Sequence, residues 1–129
     1  MLLASCGSTV GSMVTEAMDG CIAARNPVFT SGHGADALKT PLPANSEMLA
    51  KRFAYARGFK VLQKVAVGAR DQVTLVCALD LMTHNPDPDV RLFVEPYLRH
   101  PSPDVASNTR QLLDRYAAMQ KTASQPAAR

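Results

Sequence analysis

Apolar residues return every three or four positions along most of the chain, which is the spacing of one buried face of an α-helix. The pattern predicts about five helices in one domain over residues 10–120, folded as an all-α antiparallel bundle. A long connection is expected at 25–45 and a flexible tail at 121–129. The first predicted helix carries the clearest stripe: Val10, Met13, Val14, Ala17, Met18, Cys21 and Ile22.

A capped helix start occurs twice in the second half of the chain. Residues 87–90 (DPDV) and 102–105 (SPDV) each place a capping residue before a proline and an acid. The cap accepts a hydrogen bond from a backbone N–H that the helix leaves free, and proline at the first helical position loses none. The acid is favoured by the positive end of the helix dipole. The predicted caps of the later helices are Ser46, Asp71, Asp87 and Ser102.

Glycine and proline predict where these helices bend or end. Gly58 interrupts the helix that starts after Ser46, so a kink or a break is expected there. Gly68 is expected to close that helix in the left-handed conformation. Pro96 is expected to kink the helix that begins after Asp87.

The composition agrees with a helical interior. Of 129 residues, 47% are hydrophobic but 5% are aromatic, and there is no Trp. The core must therefore consist of Leu, Val, Ala and Met, which suits helix packing better than a β-sandwich. A transmembrane helix needs a run of about eighteen apolar residues, and the sequence contains no run of that length.

Five basic residues form the candidate binding face. Net charge is +3, and the 14 basic and 11 acidic residues are scattered along the chain. Typical nucleic-acid binders instead cluster their basic residues in a patch or stripe. The largest group of basic residues lies on one face of the helix predicted after Ser46. A solvated helix surface is the alternative interpretation. The five residues are Lys51, Arg52, Arg57, Lys60 and Lys64.

The residues that could carry chemistry form no catalytic or metal-binding motif. His33 lies between two glycines, but no second His, Asp or Cys stands at ligand spacing from it. His84 and His100 each end a predicted helix before a proline-rich turn, where the helix dipole favours an imidazolium. We therefore predict no catalytic residue, no metal and no cofactor.

The three cysteines are an odd number and do not form a disulfide framework. Cys21 and Cys77 are both expected in the core, where a free cysteine behaves as a small hydrophobic residue. In an exported protein, a disulfide between Cys21 and Cys77 becomes possible.

The start of the chain resembles the lipobox of bacterial lipoproteins. Leu3-Ala4-Ser5-Cys6 is followed by Gly7, Ser8 and Thr9. The resemblance implies that Cys6 is lipidated after cleavage of a leader, and that residues 1–9 hold the start and its tether. A leader needs a basic segment and about seven apolar residues, so further residues would precede Met1.

A second resemblance concerns the last third to half of the chain. Residues 79–91 (LDLMTHNPDPDVR) are similar to the turn between the helices of HEAT-type repeats, in which a Val-Arg pair begins the second helix. Residues 98–105 (LRHPSPDV) repeat the pattern with Ala106 in place of the arginine. This likeness implies a short α-solenoid that serves as a binding scaffold.

Two functional hypotheses follow. The first is a non-enzymatic helical module that binds another protein and is held at the bacterial cell envelope by lipid on Cys6. The alternative is a soluble cytoplasmic domain that binds nucleic acid through the basic face, with affinity that falls steeply with salt.

Overall fold

The computed structural model describes residues 2–53 and 57–124, with side chains at 10–52 and 57–122. Over these residues the chain is helical and contains no strand, which confirms the all-α prediction. Six α-helices are present: α1 (Leu2–Thr30), α2 (Ala44–Phe53), α3 (Arg57–Gly68), α4 (Gln72–Met82), α5 (Pro88–Val94) and α6 (Pro103–Ser124). Two 3-10 helices span Gly34–Lys39 and Glu95–Arg99.

The helix α4 lies at the centre of the bundle and packs against α1, α3 and α6. The predicted stripe of Leu75, Ala78, Leu79 and Met82 is buried. The rest of the segment from residue 75 to 82 is buried as well, since neighbours cover this helix on several sides. A helix that is apolar on nearly every side is expected at such a position.

The predicted stripe of α1 is confirmed. Val14, Ala17, Met18 and Cys21 are buried, and the other three members are partly buried against the same core. However, α1 continues through Pro27 to Thr30, into the segment that was expected to be a loop.

Tertiary contacts explain why the connection at 25–45 is shorter than predicted. Arg25 is 2% exposed and is held by partners on other segments, so the turn chemistry of Asn26 and Pro27 does not end the helix. The following 3-10 helix begins at Gly34, where a Cβ would lie 2.6 Å from the Asp104 carboxylate and 2.7 Å from the Phe29 ring. Only glycine permits this close approach.

Three of the four predicted caps are confirmed. Asp71 accepts a hydrogen bond from the Thr74 N–H at 2.8 Å. Asp87 accepts one from the Asp89 N–H at 2.8 Å. The Ser102 hydroxyl accepts one from the Val105 N–H at 3.3 Å.

The prediction for Ser46 is wrong. The helix α2 already begins at Ala44, because the Glu47 N–H donates to the Pro43 carbonyl. Ser46 therefore lies inside the first turn, and its hydroxyl donates to the Ala17 carbonyl of α1 at 3.0 Å. This bond joins two helices instead of capping one.

The described residues of the segment predicted as one helix after Ser46 form α2 and α3. Residues 54–56 between them lie outside the described residues, and Gly58, where a kink or break was expected, lies within α3. Gly68 does end α3, but Gly32 is the glycine with positive φ (+85°) among the described residues, so the predicted left-handed cap at Gly68 is wrong. The helix α5 ends at Val94, and the 3-10 helix that contains Pro96 follows from Glu95.

The two chain ends differ from the predicted tether and tail. Helical backbone begins at Leu2, within the predicted tether, although the Cys6 side chain lies outside the described residues. The helix α6 extends to Ser124, and residues 125–129 of the predicted tail also lie outside them.

Candidate functional site

The predicted basic face is divided between two helices. Lys51 and Arg52 are exposed in the last turn of α2, and the other three basic residues are exposed along α3. Lys51 forms a surface ion pair with Glu47 at 3.1 Å, a type of contact that contributes little stability. The remaining four make no ion pair with any described residue: Arg52, Arg57, Lys60 and Lys64.

A shallow groove of about 450 Å³ lies between α3 and α5, next to this basic surface. Phe59, Lys60 and Gln63 line it from α3. Asp87, Asp89 and Leu92 line it from the start of α5, and Asn85 completes it. One rim is therefore basic and the opposite rim is acidic.

Phe59 begins a row of aromatic rings that runs along α5, of which Phe93 and Tyr97 pack against the core. Phe59 and Phe93 meet edge to face at 6.4 Å between ring centres, and Phe93 lies 5.8 Å from Tyr97. The next ring, His100, stacks on Tyr97 at 6.3 Å. All four rings are partly exposed, and Leu92 beside them is 63% exposed.

Sequence reasoning missed this groove. Phe93 and Tyr97 look like ordinary core residues at helical spacing, and Leu92 looks like an incidental apolar residue. The signal that could have revealed it is the apolar pair Leu92-Phe93, since a helix as short as α5 cannot bury both sides of itself.

A second polar assembly lies in the interior, where α1, α4 and α6 meet. Asp80 of α4 is fully buried. It accepts hydrogen bonds from Arg25 of α1 and, at 2.6 Å, from Arg115 of α6. Arg25 also donates twice to the Thr40 carbonyl, at 2.9 and 3.1 Å, and Arg115 donates to the Thr83 hydroxyl at 2.7 Å. We call Arg25, Asp80 and Arg115 the buried charge cluster.

The charges of this cluster determine the ionisation of its members. Burial alone would raise the pKa of Asp80, but the charges of Arg115 and Arg25, and the hydrogen bonds they donate, outweigh burial and hold that pKa below its usual value. The carboxylate is therefore ionised. One buried carboxylate thus holds two guanidinium groups, that of buried Arg25 and that of the partly exposed Arg115, and joins three helices in one arrangement.

His84 lies beside the buried charge cluster, with its Nε2 3.7 Å from Asp80 Oδ1. Burial lowers its pKa, and the positive charge of Arg115 lowers it further, whereas Asp80 and Glu47 oppose the shift. These effects favour the neutral imidazole, against the helix dipole that favours an imidazolium at this end of α4. His100 instead accepts a hydrogen bond at Nδ1 from the Ser102 N–H at 3.0 Å.

Cys21 and Cys77 were expected either as free core cysteines or as a disulfide, and the structure contains the disulfide. Cys21 and Cys77 form a disulfide between α1 and α4, and both are fully buried. Arg25 donates to Cys21 Sγ at 3.5 Å, so the disulfide and the buried charge cluster adjoin.

His33 is exposed, and the described part of the chain holds no group of three or more potential metal-ligating residues. None of the described helices combines the length and apolar character needed to cross a bilayer.

Comparisons with known protein families, with curated proteins and with solved structures found no match.

Proposed function

We propose that this protein is a non-enzymatic helical module that binds another protein through the groove between α3 and α5, and that lipid on Cys6 holds it at a bacterial envelope membrane. The observation that carries the proposal is the groove itself. It combines the partly exposed ring of Phe59, an exposed leucine and rims of opposite charge.

The chemistry of the groove suits a protein surface. Phe59 and Leu92 supply apolar area, and aromatic residues are common anchors at the centre of protein interfaces. Lys60 on one rim and Asp89 on the other would orient a partner by charge. In the interior, by contrast, Asp80 is engaged by Arg25 and Arg115, and these contacts serve the fold.

The disulfide supports the envelope location. Such bonds persist in oxidising compartments, including the bacterial periplasm, and are rare in the cytoplasm. The lipobox-like start agrees with export, since cleavage would leave Cys6 as the lipidated residue. A bacterial lipoprotein carries several acyl chains, which hold it stably, whereas one chain binds marginally.

The groove can be tested by site-specific photocrosslinking in a bacterial host. A photoreactive phenylalanine analogue at position 92 should give a covalent adduct of one defined mass. The control is the same analogue at position 48, because Met48 is also exposed (47%) but lies outside the groove. Adding Lys60→Glu should abolish the adduct. Equal adducts from both positions, or none from position 92, would refute protein binding at this surface.

The anchor can be tested by fatty-acid labelling of the protein expressed with its natural upstream sequence. Wild type should incorporate label and sediment with membranes, and Cys6→Ser should do neither. A labelled Cys6→Ser protein, or an unlabelled wild type, would overturn the proposed attachment.

The nucleic-acid alternative makes a separate prediction. All five basic residues are exposed, so binding of duplex or single-stranded nucleic acid would weaken steeply with added salt. Such binding, together with failure of the crosslinking experiment, would favour the alternative.

A further inference from the structure

The direction of α2 places its basic residues near the start of α1. Thr40, just before α2, accepts hydrogen bonds from Arg25, whereas Ser46 in α2 donates to Ala17. The chain therefore runs back along α1 toward its N-terminus. Arg52 follows Ser46 by six residues, which places it about 9 Å farther in that direction.

The helix α4 ends at the same end of the bundle. Its Cys77 is bonded to Cys21, and Val73, one turn earlier, lines a surface cavity with Phe29. Because α1 residue numbers fall as α4 residue numbers rise, the two helices are antiparallel. The last residue of α4, Met82, thus lies toward the N-terminal half of α1.

The helix α3 begins where α4 ends. Lys60, in the first turn of α3, lines the groove together with Asn85 and Asp87, which follow α4. Arg57, the first residue of α3, lies at this end as well. We call Lys51, Arg52, Arg57 and Lys60 the cationic end.

Most positive charge at the cationic end is available to a partner. Arg52, Arg57 and Lys60 are exposed and make no ion pair with a described residue, whereas Glu47 neutralises Lys51. Two exposed acids, Asp87 and Asp89, lie at this end too, on the far side of the groove from Lys60, and offset part of its positive charge.

The opposite end is more evenly balanced. There Lys39 pairs with Asp36 at 3.5 Å, and Arg70 stands next to the capping residue Asp71. Arg99, at the end of the second 3-10 helix, is exposed there.

The cationic end lies close to the level of Cys6. Cys6 precedes Ala17 by eleven residues of α1, so it lies about 16 Å from Ala17 along the helix. Arg52 lies about 9 Å from the level of Ala17 in the same direction along α1. Measured along the α1 axis, Arg52 and Cys6 therefore differ by about 7 Å.

We propose that the cationic end docks on the anionic phospholipid headgroups of the membrane that receives the lipid on Cys6. The inference rests on the proposed lipid attachment and adds a second attraction to it. A single acyl chain and a basic patch together bind a membrane far better than either does alone. Docking would hold the bundle in one orientation, with the N-terminal end of α1 against the bilayer.

The experiment uses the full chain with one acyl chain coupled through a maleimide to Cys6, the thiol that the Cys21–Cys77 disulfide leaves free. Because the acyl chain is attached chemically, the result does not depend on natural lipidation. Binding is measured by cosedimentation with vesicles of phosphatidylcholine, with and without the anionic lipid phosphatidylglycerol. The protein should bind the anionic vesicles more tightly, and its affinity for them should fall as salt is added.

Two variants with the same change in net charge distinguish location from total charge. Arg52→Glu with Arg57→Glu should weaken binding to anionic vesicles by about 10- to 30-fold. Arg70→Glu with Arg99→Glu, at the opposite end, should change it less than about twofold. Circular dichroism melting curves confirm that both variants remain folded.

Three outcomes would overturn the proposal: equal losses in both variants, equal binding to neutral and anionic vesicles, or loss of nucleic-acid binding alone in the first variant. The last outcome would assign the cationic end to nucleic acid. Failure here with a successful crosslink at position 92 and labelled Cys6 would leave the proposed function intact.

Discussion

The buried charge cluster and the groove between α3 and α5 contrast in how they treat polar and apolar groups. In the cluster, Asp80 is fully buried and each charge meets an opposite charge or a carbonyl. In the groove, rings and Leu92 remain partly open to solvent, although Phe59 and Phe93 touch. The first arrangement fixes three helices together, and the second leaves apolar area for a partner. Substitutions should therefore affect stability in one region and binding in the other.

The largest effect is expected for Asp80→Asn. The change leaves Arg25 and Arg115 without their buried counter-charge, which typically costs about 3–5 kcal/mol. Urea denaturation measures the loss. Asp114→Asn, at an exposed carboxylate of α6, is the control and should change stability by less than about 0.5 kcal/mol. Equal, small effects of both changes would show that the cluster does not stabilise the fold.

Loss of the disulfide should rank next. The bond joins two residues that are 56 positions apart in the sequence, and its removal in a Cys21→Ala, Cys77→Ala variant should cost about 2–4 kcal/mol. Unfolding with and without reductant provides an independent measurement. Cys6→Ala should leave the free energy of unfolding unchanged. A double variant as stable as wild type would contradict the expectation.

A smaller effect concerns pH and His84. Since burial lowers its pKa, the unfolded chain binds this proton more tightly than the folded chain, and stability falls as pH drops below the ordinary histidine value of 6.5. The loss continues down to the folded pKa. His84→Gln should flatten this part of the curve of unfolding free energy against pH, whereas His33→Gln, at an exposed site, should not. Asp80 acts at lower pH, because its stabilisation is lost as pH falls through its depressed pKa.

The smallest change in stability is expected at the groove. Leu92→Ala should alter the free energy of unfolding by less than about 0.5 kcal/mol, because Leu92 is 63% exposed. The matched change in the interior, Leu79→Ala, should cost about 2–5 kcal/mol. Binding of the partner should nevertheless weaken. With the photoreactive analogue placed at position 63 of the groove, the Lys60-dependent adduct should be weaker in Leu92→Ala than in the protein with Leu92. A large loss of stability would mean that Leu92 belongs to the core.

Local signals in the sequence predicted several features correctly because the relevant partners lie within a few residues. Asp71 and Asp87 cap helices whose N–H groups are two or three positions away. Ser46 carries the same capping chemistry, yet its hydroxyl bonds to Ala17, 29 residues earlier, and no local pattern contains that partner. Gly68 ends its helix as expected without taking the left-handed conformation.

The candidate site was predicted only in part for the same reason. The exposed basic residues were identified from their spacing along the chain, but their division between α2 and α3 depends on how those helices pack. Asp80 does carry a signal, since a single acid in the apolar run from 75 to 82 indicates a buried charge. Its partners, Arg25 and Arg115, lie 55 and 35 residues away.

The sequence by itself determined the helical class, the starts of α4, α5 and α6, and the apolar faces, because these depend on the 3.6-residue period and on short-range hydrogen bonds. Only the tertiary structure decided that Arg25 keeps α1 helical past Pro27, that Cys21 meets Cys77, and that side chains of α3 and α5 line one groove. These features join residues distant in sequence. Their contacts exist only once the helices have packed around α4.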